Sequence, residues 1–417
     1  MHRRAFLSLL LAALPGASAA QTADPTAQPL AGASPSGSPA FDAWLQGFYG
    51  RAAAAGVPAV VLDRELAGLT PDDRVSAADG RQPEFSKPVG DYIKGVVTDQ
   101  RIAMGRQKRQ ELTFLGDVEA RYGVPRDILI AVWAMESAFG AIQGNYDVVR
   151  SMATLAADGR RRAFAETQLI AALQIIASGE FPRSRLTGSW AGAMGQTQFI
   201  PTTFQTTAVD EDGDGRRDIW GSAADALASA ANLLSQGGWA PGQSWAREVL
   251  ANPGFDYALT EGPSMAPAAW ELAGLRRADG GGWAAQDQTI EATLIAPSGA
   301  AGPLFLAFPN HFAIRKYNNS TAYALGVGLL ADRFAGGGPL IAAWPAETPL
   351  ALADRIDAQK ALARLGFDPG APDGLVGVNT RSALRAWQQA RGLTADGYLS
   401  MEMVRRLRAE SPDPAQL

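Results

Sequence analysis

Cysteine is absent from the 417 residues, and histidine occurs only at His2 and His311. The absence of thiols excludes disulfide bonds, thiolate nucleophiles and metal sites with cysteine ligands. With two histidines so far apart in the chain, we expect neither a histidine-based catalytic triad nor a histidine zinc site. Charge is also scarce, since 19% of the residues are charged and the net charge is −5. The composition therefore does not favour a nucleic-acid-binding protein, and acid–base chemistry is expected from carboxylates, lysine or tyrosine.

Long apolar runs are missing too, because no run approaches the roughly 18 residues that a membrane-spanning helix needs. The first twenty residues have the pattern of an export signal: a basic start, an apolar segment at Ala5–Leu14, and a small-residue cleavage site at Ala17–Ala19. The pair Arg3-Arg4 also fits a twin-arginine signal, so the Sec and twin-arginine routes both stay open. We predict a cleaved signal peptide over residues 1–20 and, without cysteine, no lipid anchor.

The remaining chain divides by composition into two folded parts and two linkers. Residues 21–40 are rich in Pro, Ala, Ser and Gly and are predicted to be a disordered linker. Residues 41–334 are mostly helical in pattern, with a small strand-bearing insertion within 240–300. A second, flexible linker is predicted at 335–349, and residues 350–409 form a compact unit of short helices around leucines and Trp387. Helices are predicted at 42–54, 90–107, 109–122, 126–138, 161–178, 222–236 and 321–333.

Glu136 ends an apolar run of eight residues, Ile128–Met135, and is followed by Ser-Ala-Phe-Gly140. The run predicts a buried helix with Pro125 near its first turn and Gly140 just past its end. Burial and the negative end of the helix dipole both disfavour a charged carboxylate at Glu136. A carboxylic acid that stays protonated near neutral pH is what general-acid catalysis requires. The alternative is that Glu136 is the first solvated residue where the helix surfaces.

A glycine-rich segment, Gly188–Pro201, has the sequence GSWAGAMGQTQFIP. Small residues let the backbone approach a ligand closely, and Gln198 can bind an amide or a hydroxyl. A tight structural loop is the other interpretation of this segment.

The acidic segment Asp210–Asp218 has oxygen ligands at alternate positions (Asp210, Asp212, Asp214) and glycine at the sixth, which is the first half of an EF-hand calcium loop. Gly221 stands where the loop's last glutamate is expected, and Asp225 on the next helix is the candidate to close the site. So many like charges close together favour a bound cation over a solvated turn. We predict weak affinity, with a Kd of about 10⁻⁴ to 10⁻³ M.

Taken together and in this order, four motifs resemble the B-type lytic murein transglycosylases over residues 41–334. They are Glu136–Gly140, Ala191–Pro201, the calcium loop ending in Ile219-Trp220, and Arg315–Tyr323. Residues 350–409 likewise resemble the three-helix peptidoglycan-binding domain, through the pattern from Asp373 to Gln388. The resemblance implies a mainly α, lysozyme-like catalytic domain with an EF-hand-like loop and a small strand insertion, followed by a small three-helix domain.

The resemblance also implies a role for individual residues. It places Glu136 as the catalytic acid and base, Ser189 and Gln198 in the sugar-binding groove, and Tyr317 and Tyr323 near the acid. Trp133 is expected to belong to the core. Calcium would be held by Asp210, Asp212, Asp214, the carbonyl of Arg216 and Asp225, and we predict that it is needed only for heat stability and not for activity. No organic cofactor is expected. Glycan strands of peptidoglycan are the expected partner, other cell-wall enzymes are candidate partners, and the expected compartment is the periplasm.

Ordinary glycosidases need two carboxylates beside the scissile bond, whereas this sequence offers one in an apolar setting, since Glu166 and Glu180 lie on polar patterns. We therefore expect substrate-assisted cleavage of the MurNAc–GlcNAc bond to give 1,6-anhydro-MurNAc. A lysozyme-like hydrolase of the same fold is the nearest alternative, and a non-catalytic wall-binding protein is the alternative from another class. A calcium sensor is disfavoured, because a single EF-like loop inside a larger domain is typical of a structural brace.

Overall fold

A computed structural model of the protein describes residues 36–80 and 85–411. The predicted signal peptide and residues 21–35 of the first predicted linker lie outside the described residues. The described chain is mainly helical with short strands, which confirms the predicted fold class. It divides into two compact units, one of residues 36–80 and 108–233 and the other of residues 85–107 and 234–411.

The α-helices in chain order are α1 (Pro39–Ala54), α2 (Ala59–Leu66), α3 (Asp73–Gly80), α4 (Val89–Val96), α5 (Asp99–Glu111), α6 (Leu115–Tyr122), α7 (Arg126–Ser137), α8 (Val148–Asp158), α9 (Arg162–Ala177), α10 (Pro201–Thr207), α11 (Ala223–Gln236), α12 (Pro267–Leu272), α13 (Pro309–Tyr317), α14 (Thr321–Phe334), α15 (Leu352–Arg364), α16 (Val378–Ala390) and α17 (Met401–Glu410). The strands are β1 (Phe85–Ser86), β2 (Tyr146–Asp147), β3 (Thr187–Gly188), β4 (Ala246–Ala251), β5 (Ser264–Met265), β6 (Leu275–Arg277), β7 (Ala292–Ile295), β8 (Leu304–Ala307) and β9 (Leu350–Ala351).

The first unit is built around α7, α8 and α9. Helix α8 packs along α9, α1 and α3 contact α8, and α2 and α10 contact α9. Residues 128–134 of α7 are all buried, as expected of a helix that is apolar on every side. The helix starts directly after Pro125, where a missing backbone N–H removes no helical hydrogen bond. The apolar run therefore places the end of α7, and Glu136 with it, at the edge of a packed core.

The second unit contains the predicted strand-bearing insertion as a five-stranded antiparallel sheet of order β5-β7-β8-β4-β6. Strand β7 lies within the predicted insertion, and β8 extends the sheet beyond residue 300. Trp270 of α12 lies fully buried under the sheet and donates its indole N–H to the Ala292 carbonyl at 2.8 Å. The sheet and α12 thus have their own small core.

The C-terminal helices α15, α16 and α17 pack around Leu362, Leu384 and Trp387, which are buried. Leu365 and Leu393, also predicted for this core, pack against it while partly exposed. The buried Gln359 ties the domain's turns together, because its side chain bonds Gly374, Leu375 and Thr380. A three-helix C-terminal domain is therefore present as predicted.

The segment 335–349 makes several contacts within the second unit. The backbone N–H groups of Ile341 and Ala342 donate to the Glu248 carboxylate at 2.8 and 2.7 Å. Trp344 packs on Gly90 so closely that a Cβ at residue 90 would lie 2.7 Å from the Trp344 Cβ. These contacts fix the path of the chain from α14 to the C-terminal domain.

Several helix predictions differ from the structure. The helix predicted over 109–122 is divided, since residues 109–111 belong to α5 and α6 begins at Leu115. The single helix predicted over 90–107 is wrong, since α4 ends at Val96 and α5 begins at Asp99. The break occurs because Thr98 takes the position of a helix cap, with its hydroxyl accepting the Arg101 N–H at 3.3 Å. Helix α8 is absent from the predictions, although Asp147 caps its start and Gly159 ends it in the left-handed region.

Candidate active site

Glu136 occupies the last turn of α7 and is partly buried. The helix ends abruptly, because Ala138 and Phe139 take positive φ angles of 50° and 60° and Gly140 follows with 81°. A left-handed residue other than glycine costs roughly 1–2 kcal/mol, so two in succession need support from their surroundings. That support includes bonds from the Phe139 N–H to the Trp133 carbonyl and from the Gly140 N–H to the Ser137 hydroxyl, at 3.2 and 3.0 Å.

The segment from Gly188 to Phe199 folds into tight turns that only glycine allows at several points. A Cβ at Gly188 would lie 2.1 Å from the Ala193 carbonyl oxygen, and one at Gly195 would lie 2.7 Å from the Ile219 carbonyl oxygen. Ser189, only 3% exposed, closes one turn by accepting the Ala193 N–H on its hydroxyl at 3.1 Å. The tight-loop interpretation is thus correct for the backbone, and the loop also carries the predicted groove residues.

Gln198 is held in an unusual conformation beside this loop. Its φ angle is 53°, and its side-chain amide donates to the carbonyls of Gln143 and Gly195 at 3.0 and 2.8 Å. Its Oε1 atom is buried and has no hydrogen-bond partner among the described residues. A buried acceptor without a partner is costly, which favours a role in binding a donor such as a substrate hydroxyl or amide.

The predicted calcium loop brings the carboxylates of Asp210, Asp212 and Asp214 together on the surface, with one ligand oxygen of each within 4.8 Å of the others. Hydrogen bonds within the loop hold its backbone around Asp210, since the N–H groups of Gly213 and Gly215 both donate to the Asp210 carboxylate at 2.8 Å. Carboxylate oxygens are the ligands that calcium prefers, and three of them converge here. The residues present therefore fit a divalent cation.

Asp225 has a different environment from these three residues. It is fully buried, and its carboxylate accepts the N–H groups of Glu211, Asp212 and Asp218 at 2.8, 3.2 and 2.7 Å. Burial raises its pKa, although these hydrogen bonds act in the opposite direction. Asp225 thus clamps the two ends of the loop, and a role as a cation ligand remains a prediction. Arg216 is exposed and donates its N–H to Asp214 at 2.8 Å; its carbonyl likewise remains a predicted ligand.

Tyr317 and Tyr323 belong to the second unit, where the end of α13 and the start of α14 bring their rings together. The ring centroids lie 6.4 Å apart and the planes are inclined by 19°. Ser320 starts α14 by accepting the Tyr323 N–H on its hydroxyl at 3.3 Å, so the Asn-Asn-Ser turn determines this stacking. The two tyrosines therefore form a pair, as their shared motif suggests.

Glu166 and Glu180, the other glutamates considered for catalysis, are engaged elsewhere in the first unit. Glu166 accepts the indole N–H of Trp44 at 2.8 Å and pairs with Arg51 at 2.7 Å. Desolvation opposes the charge of Glu180, but hydrogen bonds from Arg217 outweigh it, and the pKa of Glu180 lies below its usual value. Both residues therefore have structural roles in ion pairs with arginine.

Two glutamines absent from the sequence-based site contact the end of α7 and the turn that follows it. Gln196 is 5% exposed and accepts the indole N–H of Trp133 at 2.9 Å, so Trp133 is a core residue with a polar contact. Gln143 donates to the carbonyls of Gly140 and Trp220, both at 3.1 Å. A glutamine in a segment of small and apolar residues is the one sequence signal that could have identified Gln196.

Residues 40–332 match the family model of the transglycosylase SLT domain. The chain belongs to this family of lytic transglycosylases. Residues 352–407 match the model of a peptidoglycan binding domain, in agreement with the three C-terminal helices. Within the described residues, no helix of this lytic transglycosylase combines the length and apolar character needed to cross a membrane.

The lytic transglycosylase is similar to SltB3 from Pseudomonas aeruginosa, solved in complex with NAG-anhNAM-pentapeptide. The two share 48% identity with a TM-score of 0.85, over 89% of this chain and 100% of that chain. It is also similar to the Escherichia coli lytic transglycosylase Slt35 in complex with calcium, at 26% identity and a TM-score of 0.60, over 70% and 92% of the respective chains. Membrane-bound lytic murein transglycosylase B of Escherichia coli K12 is 31% identical over 49% of this chain, and the match spans about half, 56%, of that protein.

Proposed function

We propose that this protein cleaves the β-1,4 bond between MurNAc and GlcNAc in peptidoglycan without water, and leaves 1,6-anhydro-MurNAc ends. The observation that carries the proposal is a lone, partly buried glutamate at the strained end of α7, in the motif that defines the resemblance. The similarity to SltB3, whose structure contains an anhydro-muropeptide, supports the same reaction.

Glu136 acts first as an acid and then as a base. It donates its proton to the glycosidic oxygen, the GlcNAc alcohol leaves, and the N-acetyl group of MurNAc stabilises the positive charge that develops at the anomeric carbon. The Glu136 carboxylate then takes the proton of the MurNAc 6-hydroxyl, whose oxygen forms the new bond to the anomeric carbon. The carboxylic acid is regenerated and no water is consumed. An attacking group within the same sugar has a high effective molarity, which favours ring closure over hydrolysis.

The environments of the other two candidate glutamates support a mechanism with a single carboxylate. Glu166 and Glu180 are each paired with an arginine, so neither is available as the second carboxylate of an ordinary glycosidase. Gln198, with its buried acceptor, and Ser189 in the adjacent turn are proposed groove contacts. Tyr317 and Tyr323 are proposed substrate contacts on the basis of the family resemblance of their motif.

We infer that calcium binds Asp210, Asp212 and Asp214, with the Arg216 carbonyl and Asp225 as further candidate ligands. The convergence of three carboxylates and the calcium complex of the Slt35 relative support this assignment. Bound there, the ion would neutralise the repulsion among these carboxylates.

We also infer that the C-terminal domain binds the glycan or the stem peptide of the wall. Docking of α15–α17 onto the second unit would place this binding site at a fixed position relative to that unit, which raises the local concentration of substrate. The export pattern of residues 1–20 supports a periplasmic location, where peptidoglycan is the substrate at hand.

The test is mass spectrometry of soluble products after digestion of purified peptidoglycan. The unmutated protein should release muropeptides one water lighter than their hydrolytic counterparts. Glu136→Gln should lower the rate about 10²- to 10⁴-fold, because it removes general acid–base catalysis. Glu111→Gln, an exposed glutamate paired with Lys108 on α5, is the matched control and should retain activity.

Two outcomes would contradict the proposal. Hydrated reducing ends would indicate a lysozyme-type hydrolase. Retention on the wall without any soluble product would indicate a binding protein.

A further inference from the structure

We propose that Gln196 is a positioning residue that joins the calcium loop to the end of α7, so that cation binding at the loop changes the placement of Glu136. This inference rests on the proposed catalytic role of Glu136. It also departs from the sequence-based expectation that calcium serves heat stability alone. The basis is a continuous chain of hydrogen bonds within the first unit.

Two polar groups of Gln196 form hydrogen bonds with residues of α7. Its Oε1 accepts the indole N–H of Trp133 at 2.9 Å, and its backbone carbonyl accepts the Ser137 hydroxyl at 2.7 Å. Ser137 follows Glu136 directly, and Trp133 lies one helical turn before it. The side chains on both sides of the catalytic glutamate are therefore bound to one residue, and all three partners are buried.

The other two polar groups of Gln196 bind the end of the calcium loop. Its N–H donates to the Ile219 carbonyl at 2.9 Å, and its Nε2 donates to the Trp220 carbonyl at 3.3 Å. Gln143 runs alongside and joins the same Trp220 carbonyl to that of Gly140. The Gln143 side chain thus connects Trp220 with the turn after Glu136, and the Gln196 side chain connects Trp220 with Trp133 before it.

The contact between Gln196 and this turn is also steric. A Cβ at Gly140 would lie 2.6 Å from the Oε1 of Gln196. Only glycine therefore fits at position 140 while Gln196 lies beside the turn. Because packed interiors do not deform continuously, a displacement of Gln196 has to be taken up by the end of α7.

From Trp220 the chain of hydrogen bonds continues to the aspartates of the calcium loop. The Asp218 carboxylate accepts the Trp220 N–H at 3.0 Å, and the Asp218 N–H donates to Asp225 at 2.7 Å. Asp225 in turn holds the N–H of Asp212 at 3.2 Å. Asp212 is one of the three aspartates whose mutual repulsion a bound cation would relieve. The calcium loop is therefore the element that differs between the calcium-bound and the calcium-free protein.

The test uses the full chain labelled with ¹⁵N-tryptophan, and the Trp133 indole resonance is assigned with Trp133→Phe. On titration from EDTA into calcium, the Trp133 indole N–H should shift with the midpoint that calorimetry gives for calcium binding. In Gln196→Leu the calcium-dependent shift should be lost while calcium still binds. The indole of Trp270, which bonds Ala292 in the second unit, is the internal control and should not move.

Kinetics give a second readout, at a temperature well below unfolding. Gln196→Leu should lower kcat about 10- to 100-fold, as expected of a misplaced catalytic group, with KM changed less than about threefold because the residue is buried away from substrate. Gln196→Glu keeps an acceptor for Trp133 and should restore part of kcat. Calcium removal should lower kcat of the unmutated protein and have little further effect on Gln196→Leu.

The proposal is overturned if the Trp133 indole resonance does not shift on addition of calcium, or if it shifts in Gln196→Leu as much as in the unmutated protein. It is also overturned if KM rises while kcat stays constant. Failure of the proposed function has a separate signature, because an active Glu136→Gln variant would refute the role of Glu136 and leave the resonance shifts unaffected.

Discussion

Around Glu136, single residues adopt conformations that their local sequence does not favour. Ala138, Phe139 and Gln198 all have positive φ angles, and each costs of order 1–3 kcal/mol. Such outliers persist only where neighbouring contacts fix them. The bonds of Ser137 to Gln196 and Gly140 hold the turn after Glu136, and the side-chain bonds of Gln198 to the Gln143 and Gly195 carbonyls hold Gln198. The strain is therefore maintained by the same residues that position the proposed catalytic acid.

His311 is a buried residue outside the proposed catalytic chemistry and shows how a single side chain sets a pH dependence. It is fully buried and stacks on Trp245 with ring centroids 6.2 Å apart. Its two ring nitrogens have no hydrogen-bond partner among the described residues. Desolvation, together with the charge of Arg315, lowers the pKa of His311 to about 3. The residue therefore stays neutral in the folded protein until the pH falls towards about 3.

The direction of this pH dependence follows from the pKa of His311 in the folded and in the unfolded chain. In the unfolded chain His311 has its ordinary pKa of about 6.5, so below this pH the unfolded state binds a proton that the folded state does not. The stabilisation is complete above about pH 6.5 and is lost progressively as the pH falls towards 3. The expected loss in the free energy of unfolding approaches about 1.4 kcal/mol per pH unit from this residue alone.

Urea unfolding of the unmutated protein and of His311→Phe between pH 7 and 4.5 measures this contribution. The variant keeps an aromatic ring against Trp245 and should lose less stability on acidification. Equal slopes for the two proteins, or a proton NMR titration of His311 with a pKa near 6.5, would contradict the prediction.

At the scale of elements, the calcium loop is expected to stabilise the first unit. With a Kd of about 10⁻⁴ to 10⁻³ M, 10 mM calcium corresponds to about 10 to 100 times Kd and adds about 1.4 to 2.7 kcal/mol to the free energy of unfolding. Calorimetry with calcium and with EDTA should therefore show a Tm higher by several degrees in calcium. Asp212→Asn should remove most of this difference, because it takes one charge from the ligand group.

Asp117→Asn, at an exposed position on α6, is the control and should keep the full calcium response. A Tm that does not depend on calcium in the unmutated protein would count against the site. Chelation that abolished activity without lowering Tm would show that calcium acts on catalysis without bracing the fold.

Elements with a complete local signal could be predicted from the sequence. The apolar run of α7, the alternating aspartates and the turn residues of the C-terminal helices each specify their structure within about a dozen residues. Helix α8 also carried such a signal, in Asp147 before it and Gly159 after it. The bonds of Gln196 could not be predicted, because Trp133 and Trp220 are 63 and 24 positions away and meet it only after the core has packed.

At the scale of the whole molecule, the C-terminal domain is held to the sheet of the second unit by charge. Arg381 and Arg385 of α16 both donate to the Glu261 carboxylate at 2.7 Å. Desolvation opposes the charge of Glu261, but the hydrogen bonds and charges of the two arginines outweigh it, and the pKa of Glu261 is lowered. A second contact runs from the Ala300 N–H to Asp396 at 3.0 Å. The three-helix domain is thus a docked part of this unit.

Glu261→Gln should weaken this docking by about 1.5–3 kcal/mol, the range for hydrogen bonds to a charged group, because two arginines lose their anion. Hydrogen exchange at the Ala300 amide measures the effect directly, and its protection should fall as the domain detaches more often. Since the folded pKa of Glu261 is depressed, the unmutated interface should also weaken as the pH falls below the unfolded value of about 4.3. Glu402→Gln, from an exposed pair with Arg406 on α17, should leave the protection unchanged, as expected of a solvated ion pair. Unaltered exchange at Ala300 in Glu261→Gln would show that apolar contacts hold the domain without the ion pairs.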